Sequence, residues 1–142
     1  MSENNLQRFL DAQDKRYAIA LEEVKSGRKR SHWMWYVFPQ IQGLSLSETS
    51  KYYAIKDSSE AAAYLDHPLL ASRLEEMSNA LLQLPGSDAH AILGSPDDQK
   101  LRSSMTLFST VPGASPVFVA VLEKFYGGEK DHKTLELLQR QH

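Results

Sequence analysis

Cysteine is absent from all 142 residues, which removes disulfides, thiolate nucleophiles and cysteine-held metals together. No basic start backed by an apolar stretch follows Met1, so no secretory signal is expected. Long hydrophobic runs are missing too. The longest strongly apolar stretch, Val117 to Leu122, falls far short of the roughly 20 residues that span a bilayer. The cytoplasm is the expected compartment, with no membrane partner. Nor does one sign of charge prevail. With 16 Lys and Arg against 18 Asp and Glu, the net charge is −2, which gives no general attraction to nucleic acid.

Familiar catalytic signatures are absent as well. Gly94-Ser95-Pro96 lacks the Gly-Lys-Ser/Thr ending of a phosphate-binding loop, and no glycine triplet matches a dinucleotide fingerprint. No Gly-x-Ser-x-Gly elbow occurs. The five histidines show no pair at helical ligand spacing, and no acidic cluster follows the calcium-loop pattern. Neither a metal nor a cofactor is expected.

What is present reads as one all-α domain over residues 1–142, expected to be monomeric. Apolar residues make up 42% and charged residues 24%, ordinary values for a globular chain that needs no covalent staple. Punctuation predicts six or seven short helices. Leu6, Leu10, Gln13, Tyr17, Leu21 and Val24 recur at three- and four-residue steps, with Asn4 or Asn5 as cap and Gly27 as stop. Ser47 is placed to cap a short helix through Tyr53, and Asp57 with Glu60 has capping-box spacing. His67-Pro68 separates that helix from the stripe Leu70, Leu74, Met77, Leu81 and Leu84. Ser95-Pro96 and Ser115-Pro116 each predict a serine cap with proline at the first helical position, and Asp131 predicts a final cap. Val117, Val119 and Val121 would also alternate in a strand.

Two segments carry most of the chemistry. Between Trp33 and Phe38 four of six residues are aromatic, and both tryptophans lie there. Pro39 biases Phe38 away from helical geometry, so any helix here ends by Val37. Trp33 or Trp35 could stack on a ring, Arg30 or Lys29 could neutralise a phosphate, and Ser31 and Gln40 add hydrogen-bonding groups. His32 is the candidate catalytic residue, because imidazole titrates near neutral pH. The same run also fits a core segment, where aromatics usually belong. In the second segment Asp97, Lys100 and Ser104 share a helical face, with Ser103 adjacent. A lysine beside hydroxyls near a helix start suits an anion, although Lys100 could simply pair with Asp97. Asp66-His67-Pro68 could orient an imidazole, but both residues are also good caps. The basic cluster Lys25, Arg28, Lys29 and Arg30 forms at most a small electrostatic patch.

Ser31-His32-Trp33-Met34-Trp35-Tyr36-Val37-Phe38-Pro39-Gln40 resembles a bacterial family of unknown function. Ala62 to Pro68, Lys100 to Phe108 and the region Gly128 to Leu135 are similar to it too, so the likeness runs from about Phe9 to the C-terminus. It implies a multihelical domain and brings no catalytic residue with it. Members are sometimes labelled calpastatin, but that inhibitor is repetitive and disordered, whereas this chain is non-repetitive with regular amphipathic stripes.

The expectation is a domain that binds a small anionic metabolite, a nucleotide or phosphorylated compound, with or without catalysis. It requires the segments around His32 and Lys100 to face one cleft. The alternative is a non-catalytic protein-interaction module that exposes the aromatic segment 33–38. Nucleic-acid binding through Arg28, Lys29 and Arg30 ranks last on charge.

Overall fold

A computed structural model describes residues 5–140, and among these the chain forms nine α-helices. Outside them there is one isolated parallel bridge, between Ile41 and Ile55. The first stripe becomes α1 (Gln7–Lys25), which buries Phe9, Ala20, Val24 and the polar Gln13. Leu6 rather than an asparagine holds its cap position; Asn5 offers Arg8 only its carbonyl, and Asn4 lies outside the described residues. At the other end Gly27 turns left-handed at φ +81°, which lets the Arg28 amide close on the Glu23 carbonyl at 3.1 Å.

A single turn, α2 (Met34–Val37), follows and stops before Pro39 as the sequence requires. Ser47 caps α3 (Glu48–Tyr53) and Asp57 caps α4 (Ser58–Asp66), each accepting from the amide three residues on. Glu60 completes only half of a capping box. Its carboxylate accepts from the Lys56 amide at 3.0 Å and pairs with the buried Arg8 at 3.0 Å. His67 caps α5 (Pro68–Gln83), with Pro68 in the first turn. The stripes did not announce α6 (Ala89–Leu93), which Asp88 caps through the Ala91 amide at 3.1 Å.

The Ser-Pro expectation needs correcting at α7 (Asp97–Ser109). Pro96 occupies the cap position, the Ser95–Pro96 bond is cis, and no side chain caps the helix. Before α8 (Val117–Tyr126) Pro116 again takes the cap position, though Ser115 Oγ accepts from the Val117 amide at 3.2 Å. Helix wins over strand here. Val117, Phe118, Val121 and Leu122 share a buried face while Val119 is exposed. Asp131 caps α9 (His132–Gln139) as expected.

α5 packs against both α1 and α8, and α7 touches α4, α6, α8 and α9. Four rings run through the middle of this arrangement. Phe9 meets Tyr64 edge-on at 5.2 Å, Tyr64 meets Phe108 at 5.1 Å, and Phe108 meets Phe118 at 6.0 Å. Each such pair adds about 0.5–1.5 kcal/mol beyond the area it buries. The buried Gln13 is paired: it donates to the Tyr36 carbonyl at 2.7 Å and to the Tyr64 hydroxyl at 3.0 Å, tying α1 to α2 and α4. No described helix is long and apolar enough to cross a membrane.

Candidate functional site

Where α1 ends, Glu23 organises the segment that follows. Its carboxylate accepts from the Arg30 amide at 2.8 Å, the Ser31 amide at 3.1 Å and hydroxyl at 2.7 Å, and the Trp33 indole at 2.9 Å. Burial by itself raises the Glu23 pKa, but these donors outweigh it and hold the carboxyl down at about 2. The Lys29 amide is fixed from the other side by the Ile92 carbonyl of α6 at 2.8 Å. Residues 29–33 are therefore a held segment.

The opposite wall comes from the turn after α6 and the start of α7. Between the walls lies a cleft of about 390 Å³. Lys29, Arg30, Ser31, His32, Met34 and Trp35 line one side of it. Leu93, Ser95, Pro96, Asp97 and Lys100 line the other. Asp97 joins the sides: its Oδ2 lies 2.9 Å from Lys29 Nζ and its Oδ1 3.3 Å from Lys100 Nζ. Each lysine also sits over an indole, Lys29 at 5.2 Å from the Trp33 ring and Lys100 at 5.1 Å from the Trp35 ring. The Asp98 and Gln99 amides near the start of α7 are already used, since Asp98 donates to the Gly94 carbonyl at 2.9 Å and Gln99 to the Pro96 carbonyl at 3.0 Å. The cations here are side chains, not a bare helix end.

Of the residues singled out in the sequence, Arg30, Ser31, His32, Trp35 and Lys100 share this cleft. His32 is exposed at its edge, with its ring 6.4 Å from that of Trp35; its carbonyl accepts from the Tyr36 hydroxyl at 3.2 Å, while its imidazole has no hydrogen-bond partner among the described residues. The others lie elsewhere. Trp33 is 1% exposed, and its indole is committed to Glu23. Gln40 lines a separate cavity of about 20 Å³ on another side of Trp35, room for one water. Ser103 turns its buried hydroxyl back to the Gln99 carbonyl at 3.1 Å, a common local bond on a helix. Ser104 is wholly buried and its hydroxyl has no partner among the described residues.

The helical face shared by Asp97, Lys100 and Ser104 thus runs from cleft to core within two turns, which spacing by itself does not reveal. Asp66 is exposed, and His67 uses its ring nitrogen as a cap, 3.4 Å from the Leu70 amide. Sequence reasoning passed over Glu23, Leu93 and Pro96. A signal existed for Glu23: a buried tryptophan N–H needs an acceptor, and Glu23 lies in the last turn of the preceding helix. Among the described residues, no group of three or more His, Asp or Glu gathers as a metal-holding cluster.

The model of a family described as "Protein of unknown function (DUF1810)" matches residues 3–138. The chain is also similar to the crystal structure of the conserved hypothetical protein Rv1873 from Mycobacterium tuberculosis, at 47% identity and a TM-score of 0.93. That match covers 96% of this chain and 97% of the mycobacterial one. No curated protein matches the chain.

Proposed function

The chain belongs to this family, whose description assigns no activity, and we propose that it binds a small anionic metabolite, a nucleotide or phosphorylated compound, in the cleft beside Trp35. One observation carries the proposal: Lys100 lies 5.1 Å over the Trp35 ring and 3.3 Å from an Asp97 carboxylate that Lys29 also holds. Cations and a half-buried aromatic face, drawn from two distant segments, thereby meet around one cavity of ligand size. Lys29, Arg30 and Lys100 take the anion, and Trp35 packs against the ring or sugar. The Ser31 hydroxyl gives its proton to Glu23 and so presents an accepting oxygen. His32 stands where it can hydrogen-bond to the ligand or exchange a proton with it.

The interaction-module alternative has less to support it: Trp33, Met34, Tyr36, Val37 and Phe38 are buried, so among the rings of 33–38 only Trp35 is partly exposed, a small surface for a partner.

A thermal-shift screen against nucleotides and phosphorylated sugars tests the proposal. A ligand at 100 times its Kd stabilises the fold by about 2.7 kcal/mol, a readily measured shift. Lys100→Ala and Trp35→Ala are expected to abolish that shift while keeping native circular dichroism. A flat response from the wild type to every phosphorylated compound would sink it.

A further inference from the structure

The charge pattern of the cleft carries a narrower conclusion, which rests on the anion-binding proposal above. Three cationic side chains line the cavity, Lys29, Arg30 and Lys100, against one carboxylate, Asp97, a surplus of two positive charges with His32 neutral. Asp97 is not a loose surface acid. Its side chain is 17% exposed, it opens α7 where a negative charge favours the helix dipole, and it uses both oxygens on the two lysines. Lys29 is 8% exposed and Lys100 19%, so this three-charge cluster is largely withdrawn from solvent, and screening inside it is weak. Glu23, at the base of the 29–33 segment, spends its carboxylate on the loop amides, the Ser31 hydroxyl and the Trp33 indole. Arg30 is exposed, and its guanidinium has no partner among the described residues.

A phosphomonoester carries about −1.5 to −2 charges at pH 7, which matches that surplus. A di- or triphosphate brings more negative charge, finds no further cation lining the cleft, and meets the fixed Asp97 carboxylate. The cavity, about 390 Å³, also lies at the small end of the usual range of about 300–1,000 Å³. We propose that Asp97 is a specificity-determining residue that tunes this cleft to single-phosphate ligands, phosphomonoesters, and against polyphosphates. Rejection by a fixed like charge is a familiar way to discriminate between ligands that share all other contacts.

Calorimetric titration of adenosine 5′-monophosphate and adenosine 5′-triphosphate, without divalent metal and at constant ionic strength, tests this. The wild type is expected to bind the monophosphate at least about tenfold tighter, as like-charge juxtaposition is costly. Asp97→Asn is expected to gain more for the triphosphate than for the monophosphate and so to shrink that preference. Asp97→Glu keeps the charge and is expected to keep the preference, which guards against a fold defect in the asparagine variant; circular dichroism of both checks it. Equal or tighter binding of the triphosphate by the wild type overturns the inference, as does an undiminished preference in folded Asp97→Asn. Binding of neither nucleotide overturns it too. The wider screen of phosphorylated compounds then decides the anion-binding proposal separately, so the two failures are distinguishable.

Discussion

Glu23 shows how much one side chain decides at the scale of a residue. Folding takes its pKa from 4.5 to about 2, because burial, which opposes ionisation, is outweighed by the donors of Arg30, Trp33 and Ser31. A depressed carboxyl contributes stability above its unfolded pKa and loses it as pH falls through the folded one. Urea unfolding followed from pH 5 downward is thus expected to show stability draining between about 4.5 and 2, with Glu23→Gln lacking that component. At neutral pH Glu23→Gln is expected to cost about 1–3 kcal/mol, since the amide cannot satisfy all four donors. No loss on substitution would mean that solvent replaces those bonds. Ser104 is the converse case. Its buried hydroxyl bonds to nothing described, so Ser104→Ala is expected to be neutral or stabilising by up to about 1 kcal/mol in denaturant titration. Neither property was legible in the sequence. Glu23 and Ser104 look like any helical glutamate and serine until the fold chooses their neighbours.

Among the elements, four helix starts were legible because a side chain caps locally. Ser47, Asp57, His67 and Asp131 each accept from the amide three residues on, a bond that depends only on nearby sequence. Starts that departed from the expected caps are that of α1, where Leu6 stands in place of an asparagine, and those at the two Ser-Pro pairs, where proline itself takes the cap position. Short helices were illegible as well, since the five residues of α6 hold too little periodicity to count. Helix ends show a long-range device that no local motif encodes. Lys124 of α8 donates to the carbonyls of Leu81 at 2.9 Å, Leu82 at 3.1 Å and Leu84, and so closes the C-terminus of α5 from another helix. Lys124→Met keeps most of the stem and removes the charge. It is expected to cost about 1.5–3 kcal/mol, seen as a Tm lower by several degrees. An unchanged Tm would show that water caps those carbonyls equally well.

Across the whole molecule, the four-ring series from Phe9 through Tyr64 and Phe108 to Phe118 links α1, α4, α7 and α8. Phe108 stands inside that series and is fully buried. Phe108→Ala is expected to cost about 3–5 kcal/mol, a large part of a typical total of about 5–15 kcal/mol. Urea midpoints of variant and wild type measure it, and a cost near zero would deny the series its central place. All-α architecture was legible at this scale because stripes and stops agree along the chain. The joining of the two chemical segments was not, because residues near 30 and near 100 meet only through tertiary contacts such as Lys29 to Ile92 and Lys29 to Asp97. The placement of the tryptophans has an optical consequence. Trp33 is sealed in the core while Trp35 borders the cleft, so the chain carries two emitters in unlike surroundings only two peptide bonds apart. Unfolding must redden both, whereas a ligand in the cleft is expected to alter Trp35 more than Trp33, which does not line it. The intrinsic emission of the unlabelled protein therefore separates loss of fold from filling of the site, and Trp35→Phe leaves the buried emitter as a reference.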